Sequence, residues 1–392
     1  MKAVTEAVSS IGKELDLTVT AAVVNKPNED YQLEELKLGK LYPDEVLVKL
    51  VASGMCQSDE ALRVGDAEVP LPMVLGHEGA GVIEEVGSAV KGFKPGDQVI
   101  MAYNYCGTCP SCRTGHPSSC KEWVNLNMSG ARADGTYTFF KEDGTPVSNF
   151  FFQSSFSTHT ITNANNLIKV SDDTDLRLVG PLGCGLLTGF GTVVNGLKPE
   201  TSSSIAVFGT GAVGIGTLLA GKIEGCSTVI AIDIHDSRLE LAKELGATHT
   251  INSRTEDLAE RIAEITDGKG VDYSVDTTGV TAVMKAAIDV LAIGGVTAPV
   301  AVTPNSVELN TFMDLVLGNR KLVGILMGDA VPQLAVPKLI DYHKEGKFPY
   351  EKLMKFYKFS EINQAAAESN SGQTIKPVLI IDENYRNDQP LV

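Results

Sequence analysis

Short runs of aliphatic and β-branched residues, broken by glycine and proline, dominate the first hundred positions. LTVTAAVV from Leu17, DEVLVKLVASG from Asp44, GAGVIEEVG from Gly79 and DQVIMAY from Asp97 have the length and Val/Ile content of strands. Gly65, Pro72, Gly92 and Pro95-Gly96 punctuate them. Residues 106–160 are polar, rich in Gly and Ser, and read as loop. From Leu186 the texture changes. SIAVFGTGAVGIGTLLAGKIEG predicts a strand, a glycine turn and a helix, and STVIAIDIHDSRLELAKELGA a strand and a helix. VDYSVDTTG, TAVMKAAIDVLAIGG, VTAPVAV and KLVGILMG continue the alternation, which predicts a parallel, doubly wound sheet. After Met327, VPQLAVPKLIDYHKEGK reads as a helix and IKPVLIIDE as a strand. The expected plan is a β-rich domain over 1–185, a nucleotide-fold domain over 186–325 and a return to the first over 326–392.

Composition narrows the classes. A chain of 392 residues is longer than one core sustains, which agrees with two domains. Its net charge of −16 would repel phosphates, so a nucleic-acid partner is not expected. No run of eighteen apolar residues suggests a membrane span. MKAVTEAVSSIGKELDL has no apolar export segment, and Glu6, Glu14 and Asp16 argue against a transit peptide, so the cytoplasm is the expected location. No function is assigned to residues 1–17.

Two motifs carry chemistry. Gly209-Thr210-Gly211-Ala212-Val213-Gly214 fits G-x-G-x-x-G between a buried strand and a helix. Gly209 permits the tight turn, Gly211 lets backbone approach a pyrophosphate, and Gly214 lets the helix pack on the strand. The helix N-terminus would face the phosphates. Asp233 ends the next strand, where a carboxylate binds a ribose 2′-hydroxyl and repels a 2′-phosphate, favouring NAD over NADP. Arg238 nearby could instead tolerate a phosphate.

The second motif is CGTCPSCRTGHPSSC. Cys106, Cys109, Cys112 and Cys120 put four of the seven cysteines at C-x2-C-x2-C-x7-C spacing, which lets one loop wrap a tetrahedral zinc through four thiolates. Iron–sulfur runs use a shorter last gap, and His116 inside the loop is surplus to a filled shell. A closed site does no chemistry, so an open one is sought elsewhere. Cys56 in GMCQSDE, His77 in LGHEGAG and Cys184 in PLGCGLLTG would leave zinc's fourth position free. Singly, each has a plainer reading, as a small core cysteine or a hydrogen-bonded structural histidine. The residues alone leave both readings open.

GHEGAGVIEEVG, the Pro95-Gly96 turn before DQV, the four-cysteine lobe, GCG and the glycine turn, in that order, resemble the zinc-dependent medium-chain alcohol dehydrogenases. The resemblance spans residues 20–385, and MAYNYCGTC and FFQSSFSTH are most similar to the NAD-dependent aryl-alcohol (benzyl-alcohol) branch. It implies a β-rich GroES-like catalytic domain beside a Rossmann domain, two zinc ions per chain, NAD and a homo-oligomer, dimer or tetramer. It implies that Cys56, His77 and Cys184 hold the catalytic zinc and the four-cysteine lobe the structural one. Asp59 would orient His77 from behind, and Glu78 would be the acid behind the metal. Ser58 would take the substrate's hydroxyl proton. Thr188 and Val213 would pack near the nicotinamide, Arg238 would meet the adenosine ribose, and Lys376 the pyrophosphate.

Two departures stand out. Gln57 replaces a basic residue that several members carry, which weakens one phosphate contact. Ala61 replaces the histidine that ends the proton relay in many members, so the relay would pass from Ser58 and a cofactor ribose hydroxyl to water. Phe150, Phe151 and Leu326 fall in the family's substrate segments, and Ala102 replaces a larger residue in some relatives. Aromatic walls with added room favour aryl or allylic primary alcohols over ethanol, in a cleft expected between the domains. The same phenylalanines could simply pack in the core. A glutathione-dependent formaldehyde dehydrogenase is the nearest alternative enzyme. Asp66 and Glu68 lie near its acids, one residue out of spacing. A non-catalytic NAD- and zinc-binding redox sensor and a zinc-free quinone reductase fit less well with both cysteine sets. Cys56→Ala is expected to abolish turnover while leaving the fold intact. Retained turnover by the purified variant would remove Cys56 from the ligand set.

Overall fold

The computed structural model describes residues 12–66 and 69–386. Most of the N-terminal stretch without an assigned role, and Glu68, lie outside the described residues. The chain forms two compact units. One comprises residues up to Cys184, Pro332–Pro337 and the chain from Leu353 onward; the other comprises Gly185–Val331 and Lys338–Lys352. The return expected at 326 therefore begins later and comes in pieces, because the predicted helix, observed over Pro332–Lys344, is divided between the units.

In the first unit the strands are β1 (Thr18–Val24), β2 (Gln32–Leu38), β3 (Glu45–Gly54), β4 (Met73–Val74), β5 (Glu78–Val86), β6 (Gln98–Met101), β7 (Phe139–Phe140), β8 (Pro146–Val147), β9 (His159–Asn163) and β10 (Leu167–Lys169). The second unit holds β11 (Ser204–Phe208), β12 (Thr228–Asp233), β13 (His249–Asn252), β14 (Val271–Asp276), β15 (Leu291–Pro299) and β16 (Lys321–Leu322). The chain then closes the first unit with β17 (Met354–Lys358) and β18 (Lys376–Ile380).

The first unit has one sheet in the order β4-β1-β2-β7-β8 and another in the order β10-β6-β5-β3-β18-β17, with β9 also paired to β3. Alternation on β3 puts Val46, Val48 and Leu50 on one face, where they meet Ile83, Val99, Met101 and Leu167. The region read as loop supplies β7 and β8, two residues each, and the short helices Pro110–Arg113 and Trp123–Met128. A buried ion pair fastens it to β3. The Arg132 guanidinium donates to both oxygens of Glu45 at 2.5 and 2.8 Å and lies 4.2 Å above the Tyr42 ring. Burial pushes the Glu45 carboxyl up against the pull of that guanidinium.

The second unit's sheet, β13-β12-β11-β14-β15-β16, is parallel throughout. Helices connect its strands, among them Ala212–Ile223 after β11 and Asp236–Glu244 after β12. Its core gathers Ala206 and Phe208 from β11, Ile230 and Ile232 from β12, and Ile251 from β13. The fold class read from the alternation is the one observed.

Arg132→Ala leaves Glu45 charged, buried and unpaired. The first unit should lose about 3–5 kcal/mol, read as a fall in its denaturant midpoint, with Glu45→Gln milder. An unchanged midpoint would show that this pair does not hold the loop.

Candidate metal centres and nucleotide turn

Strand register brings Cys56 and His77 together. β3 ends at Gly54 directly opposite Glu78, the first residue of β5. Cys56 follows that end by two residues and His77 precedes the start by one, so both emerge at the same end of adjacent antiparallel strands. A Cβ on Gly54 would stand 2.1 Å from the Glu78 carboxylate, so only glycine leaves room there. Cys184 arrives on the turn Gly180–Gly183. A Cβ at Gly180 would meet the Glu78 carbonyl at 2.3 Å, and one at Gly183 the Met101 carbonyl at 2.0 Å. Those two glycines let the turn lie against β5 and β6.

The Cys56, His77 and Cys184 donor atoms lie within 4.8 Å of one another, and His77 Nε2 is 3.1 Å from Cys184 Sγ. Tetrahedral zinc with thiolate ligands sets its donors about 3.5–3.8 Å apart, so the set fits a metal with one position open. Asp59 organises it. Its Oδ1 accepts from His77 Nδ1 and from the Gly76 N–H, each at 2.9 Å, and its Oδ2 accepts from the Cys56 N–H at 3.0 Å. A carboxylate only accepts, so Nδ1 carries a proton toward Asp59, which leaves Nε2 as the nitrogen a metal would take. Burial works against charge on His77, yet Asp59 holds its pKa well above the ordinary value. A hydrogen bond from Cys184 pulls the Cys56 thiol well down; burial opposes this and the Lys376 ammonium assists it.

Lys376 has a different place from the one expected. Its ammonium donates to Glu78 Oε1 and Oε2 at 3.0 and 2.9 Å and to the Met55 carbonyl at 2.9 Å, fully buried. With its donors so engaged it serves the charge balance behind the triad, not a pyrophosphate. Burial opposes its charge, and the Glu78 carboxylate raises its pKa regardless. Ser58 Oγ lies 4.0 Å from Cys56 Sγ in the first turn of the helix Gln57–Val64.

The lobe cysteines are all free thiols, with Cys106–Cys112 and Cys109–Cys112 sulfurs 3.9 and 3.5 Å apart. These are metal-ligand separations, far beyond a disulfide bond. Backbone N–H groups of Cys106 and Cys109 donate to the sulfurs of Cys120 and Cys106 at 3.4 and 3.3 Å. Burial pushes the Cys106 thiol up, but donors from Thr108 and its neighbours prevail and bring it to about 6.

Around His77 the structure gathers aromatic rings. Phe150 and Phe151 pack on the imidazole at 5.0 and 4.8 Å between centroids, and Trp123 meets Phe151 edge-on at 5.5 Å. Phe151, Phe152 and Ser154 have φ of 54°, 48° and 45°. Left-handed backbone on bulky residues costs on the order of 1–3 kcal/mol each and persists only where the surroundings hold it. Buried polar side chains do the holding. Asn166 Nδ2 donates to the Phe151 and Phe152 carbonyls at 2.9 and 3.4 Å, and Gln153 Nε2 to the Ala102 carbonyl at 3.0 Å. Neither was singled out from sequence. For Gln153 the available signal was an amide directly after three phenylalanines; Asn166, in NANN, offered none. Leu326 lies in the other unit and is exposed.

In that unit the glycine turn divides its roles. Gly209 has φ +85°, and a Cβ there would strike Thr277 Oγ1 at 2.6 Å. A Cβ on Gly214 would stand 1.9 Å from the Gly209 carbonyl, while nothing lies within 4 Å of one on Gly211. The open side at Gly211 is the cradle a pyrophosphate needs. Asp233 Oδ2 accepts from the Thr210 N–H and hydroxyl, both at 2.7 Å, and Oδ1 from the N–H groups of Ile234 and His235 at 2.7 and 3.0 Å. Burial pushes this carboxyl up, but those donors hold it below its usual range. Thr188 and Val213 stand on neighbouring helices, Gly185–Gly191 and Ala212–Ile223, that touch through Gly189. Arg238 sits half-buried in the helix after β12.

Known proteins share this framework. Residues 42–172 match the alcohol dehydrogenase GroES-like domain family and residues 212–344 the zinc-binding dehydrogenase family. Geraniol dehydrogenase of Castellaniella defragrans is 40% identical over 368 residues, spanning 93% of this chain and 98% of that protein. The crystal structure of benzyl alcohol dehydrogenase from Acinetobacter calcoaceticus has a TM-score of 0.89 and 43% identity, over 93% of this chain and 99% of that one. An alcohol dehydrogenase zinc-binding domain protein from Burkholderia ambifaria reaches 0.90 at 45% identity, over 93% and 99% of the two chains. The chain belongs to the zinc-dependent alcohol dehydrogenase family, oxidoreductases that pair zinc with a nicotinamide cofactor.

Asp59→Ala should weaken metal binding at Cys56, His77 and Cys184 by about 10–100-fold and leave the four-cysteine lobe loaded. Metal analysis across a chelator series checks this, and equal retention by variant and parent would strip Asp59 of its orienting role.

Proposed function

We propose that this chain is an NAD-dependent dehydrogenase of primary aryl and allylic alcohols, reversibly forming the aldehyde. Cys56, His77 and Cys184 hold the catalytic zinc, and Cys106, Cys109, Cys112 and Cys120 the structural one. The observation that carries the substrate class is the pair Phe150 and Phe151 against the metal-facing imidazole, with the small Ala102 tied to the same loop. Flat π-faced substrates suit such walls. Relatives named for geraniol and benzyl alcohol support the reading.

Zinc bound at the triad would supply a Lewis acid with one open position, and NAD would accept the hydride. The chain's own residues do the rest. Asp59 keeps the imidazole in the tautomer that presents Nε2. Ser58 is placed to receive the hydroxyl proton, and with Ala61 in place of a histidine no imidazole follows it on the helix Gln57–Val64. Glu78 and Lys376 form a buried neutral pair behind two thiolates. The ionised Asp233 disfavours a 2′-phosphate, which supports NAD.

Seven free cysteines suit a reducing compartment, and we place the reaction in the cytoplasm. Among the described residues no single helix is long and apolar enough to cross a membrane. We also assign a homo-oligomer. β16 is the outermost strand of the second unit's sheet; its Leu322 is exposed, as are Phe312, Met313, Val316 and Leu317 in the segment that precedes it. An open edge with an apolar flank is self-complementary under a two-fold axis. Sedimentation in dilute buffer should give a dimer or tetramer; a monomer dismisses the assignment.

Purified protein given NAD should oxidise benzyl alcohol well ahead of ethanol, and NADP should serve about a hundredfold less well. Turnover confined to a formaldehyde–glutathione mixture would replace this reading with the glutathione-dependent one. No turnover of any of these by zinc-loaded protein would end the dehydrogenase assignment.

A further inference from the structure

Asn166 joins the two segments that hold Ala102 and Phe151. Its backbone carbonyl accepts from the Ala102 N–H at 2.8 Å, and its side-chain amide donates to the Phe151 carbonyl at 2.9 Å and the Phe152 carbonyl at 3.4 Å. Gln153, from the same phenylalanine loop, donates to the Ala102 carbonyl at 3.0 Å. These five residues thus close a ring of hydrogen bonds, all of them buried. Phe151 and Phe152 are left-handed within it, a conformation that relaxes unless something grips their carbonyls. Thr162 Oγ1 also holds the Phe152 carbonyl, at 2.6 Å. The Phe151 carbonyl is held by the Asn166 side-chain amide. The ring that this backbone orients is the one tilted 38° on His77 at 4.8 Å.

We infer that Asn166 is a positioning residue for the hydride-transfer site, setting the Phe151 ring against His77 and so the fit of a flat substrate. This rests on the aryl-alcohol reading above. Asn166 touches neither metal ligand nor glycine turn. Its effect must therefore pass through the shape of the wall, which shows as discrimination between substrates rather than as uniform loss. Trp123 is the sole tryptophan and meets Phe151 edge-on at 5.5 Å, so its fluorescence reports on that ring independently of any substrate.

The test compares Asn166→Ala and Asn166→Ser with the parent, zinc-loaded. KM and kcat are measured for benzyl alcohol and 1-propanol with NAD, together with the Trp123 emission band. Asn166→Ala should raise KM for benzyl alcohol by about tenfold relative to its effect on 1-propanol, with a smaller change in kcat, and should shift the emission. Asn166→Ser, which restores one donor, should fall between. Where the alanine variant does not fold, the serine variant is judged by the same ratio. An equal change for both alcohols, or an unchanged ratio, overturns the inference. Where the parent itself rejects benzyl alcohol, the aryl reading falls instead. The emission band then decides the positioning claim alone, with an unchanged band overturning it.

Discussion

The carboxylate of Asp59 is the constraint on which the candidate metal centre depends. It accepts three hydrogen bonds, one from the imidazole of His77 and two from the N–H groups of Gly76 and Cys56. One side chain therefore fixes a ligand's tautomer and ties down the backbone on both approaches to the metal. That is possible because Asp59 sits three residues into the helix that begins after Cys56, the position at which an acid reaches back to the helix start. The cap that starts a helix and the support that orients a ligand are the same group.

Behind this hub the site is assembled by removing side chains as much as by adding them. Gly54, Gly180 and Gly183 each stand where a Cβ would meet a carboxylate or carbonyl within about 2.3 Å, so the Glu78 carboxylate and the main chain of β5 and β6 can press against bare main chain beside the triad. The second unit repeats the device at Gly209 and Gly214, while Gly211 leaves its outer side open. Rigidity around the metal and access around the phosphates come from the same residue type, separated only by whether protein or solvent lies where the Cβ would be.

Local spacing was legible; long-range pairing was not. The glycine turn, the four-cysteine lobe and the strands around Cys56 and His77 follow from neighbours a few residues apart, and each forms as read. β2 escaped notice because QLEELKL is too charged to read as a strand, and it is stabilised by pairing with β1 instead. Lys376 was misplaced for the opposite reason. Its partner Glu78 lies 298 residues away, and nothing near Lys376 says that its charge will be buried. Asn166, in NANN, reads as an ordinary capping segment, and its second role exists only once the phenylalanine loop has folded over it.

The order of β3, β18 and β17 in one sheet has a consequence for how the molecule is made. A ribosome releases β3 before every strand of the nucleotide-fold unit and β18 after all of them. That unit can complete its own sheet during synthesis, as domains do when they emerge as continuous stretches. The catalytic sheet must wait with the Ala52–Gly54 end of β3 unpaired on one edge, and Glu78 waits with it, without the lysine that neutralises it. The metal pocket is thus finished only once β18 has joined β3, and a nascent protein truncated before Lys376 would carry all three metal ligands in an incomplete site.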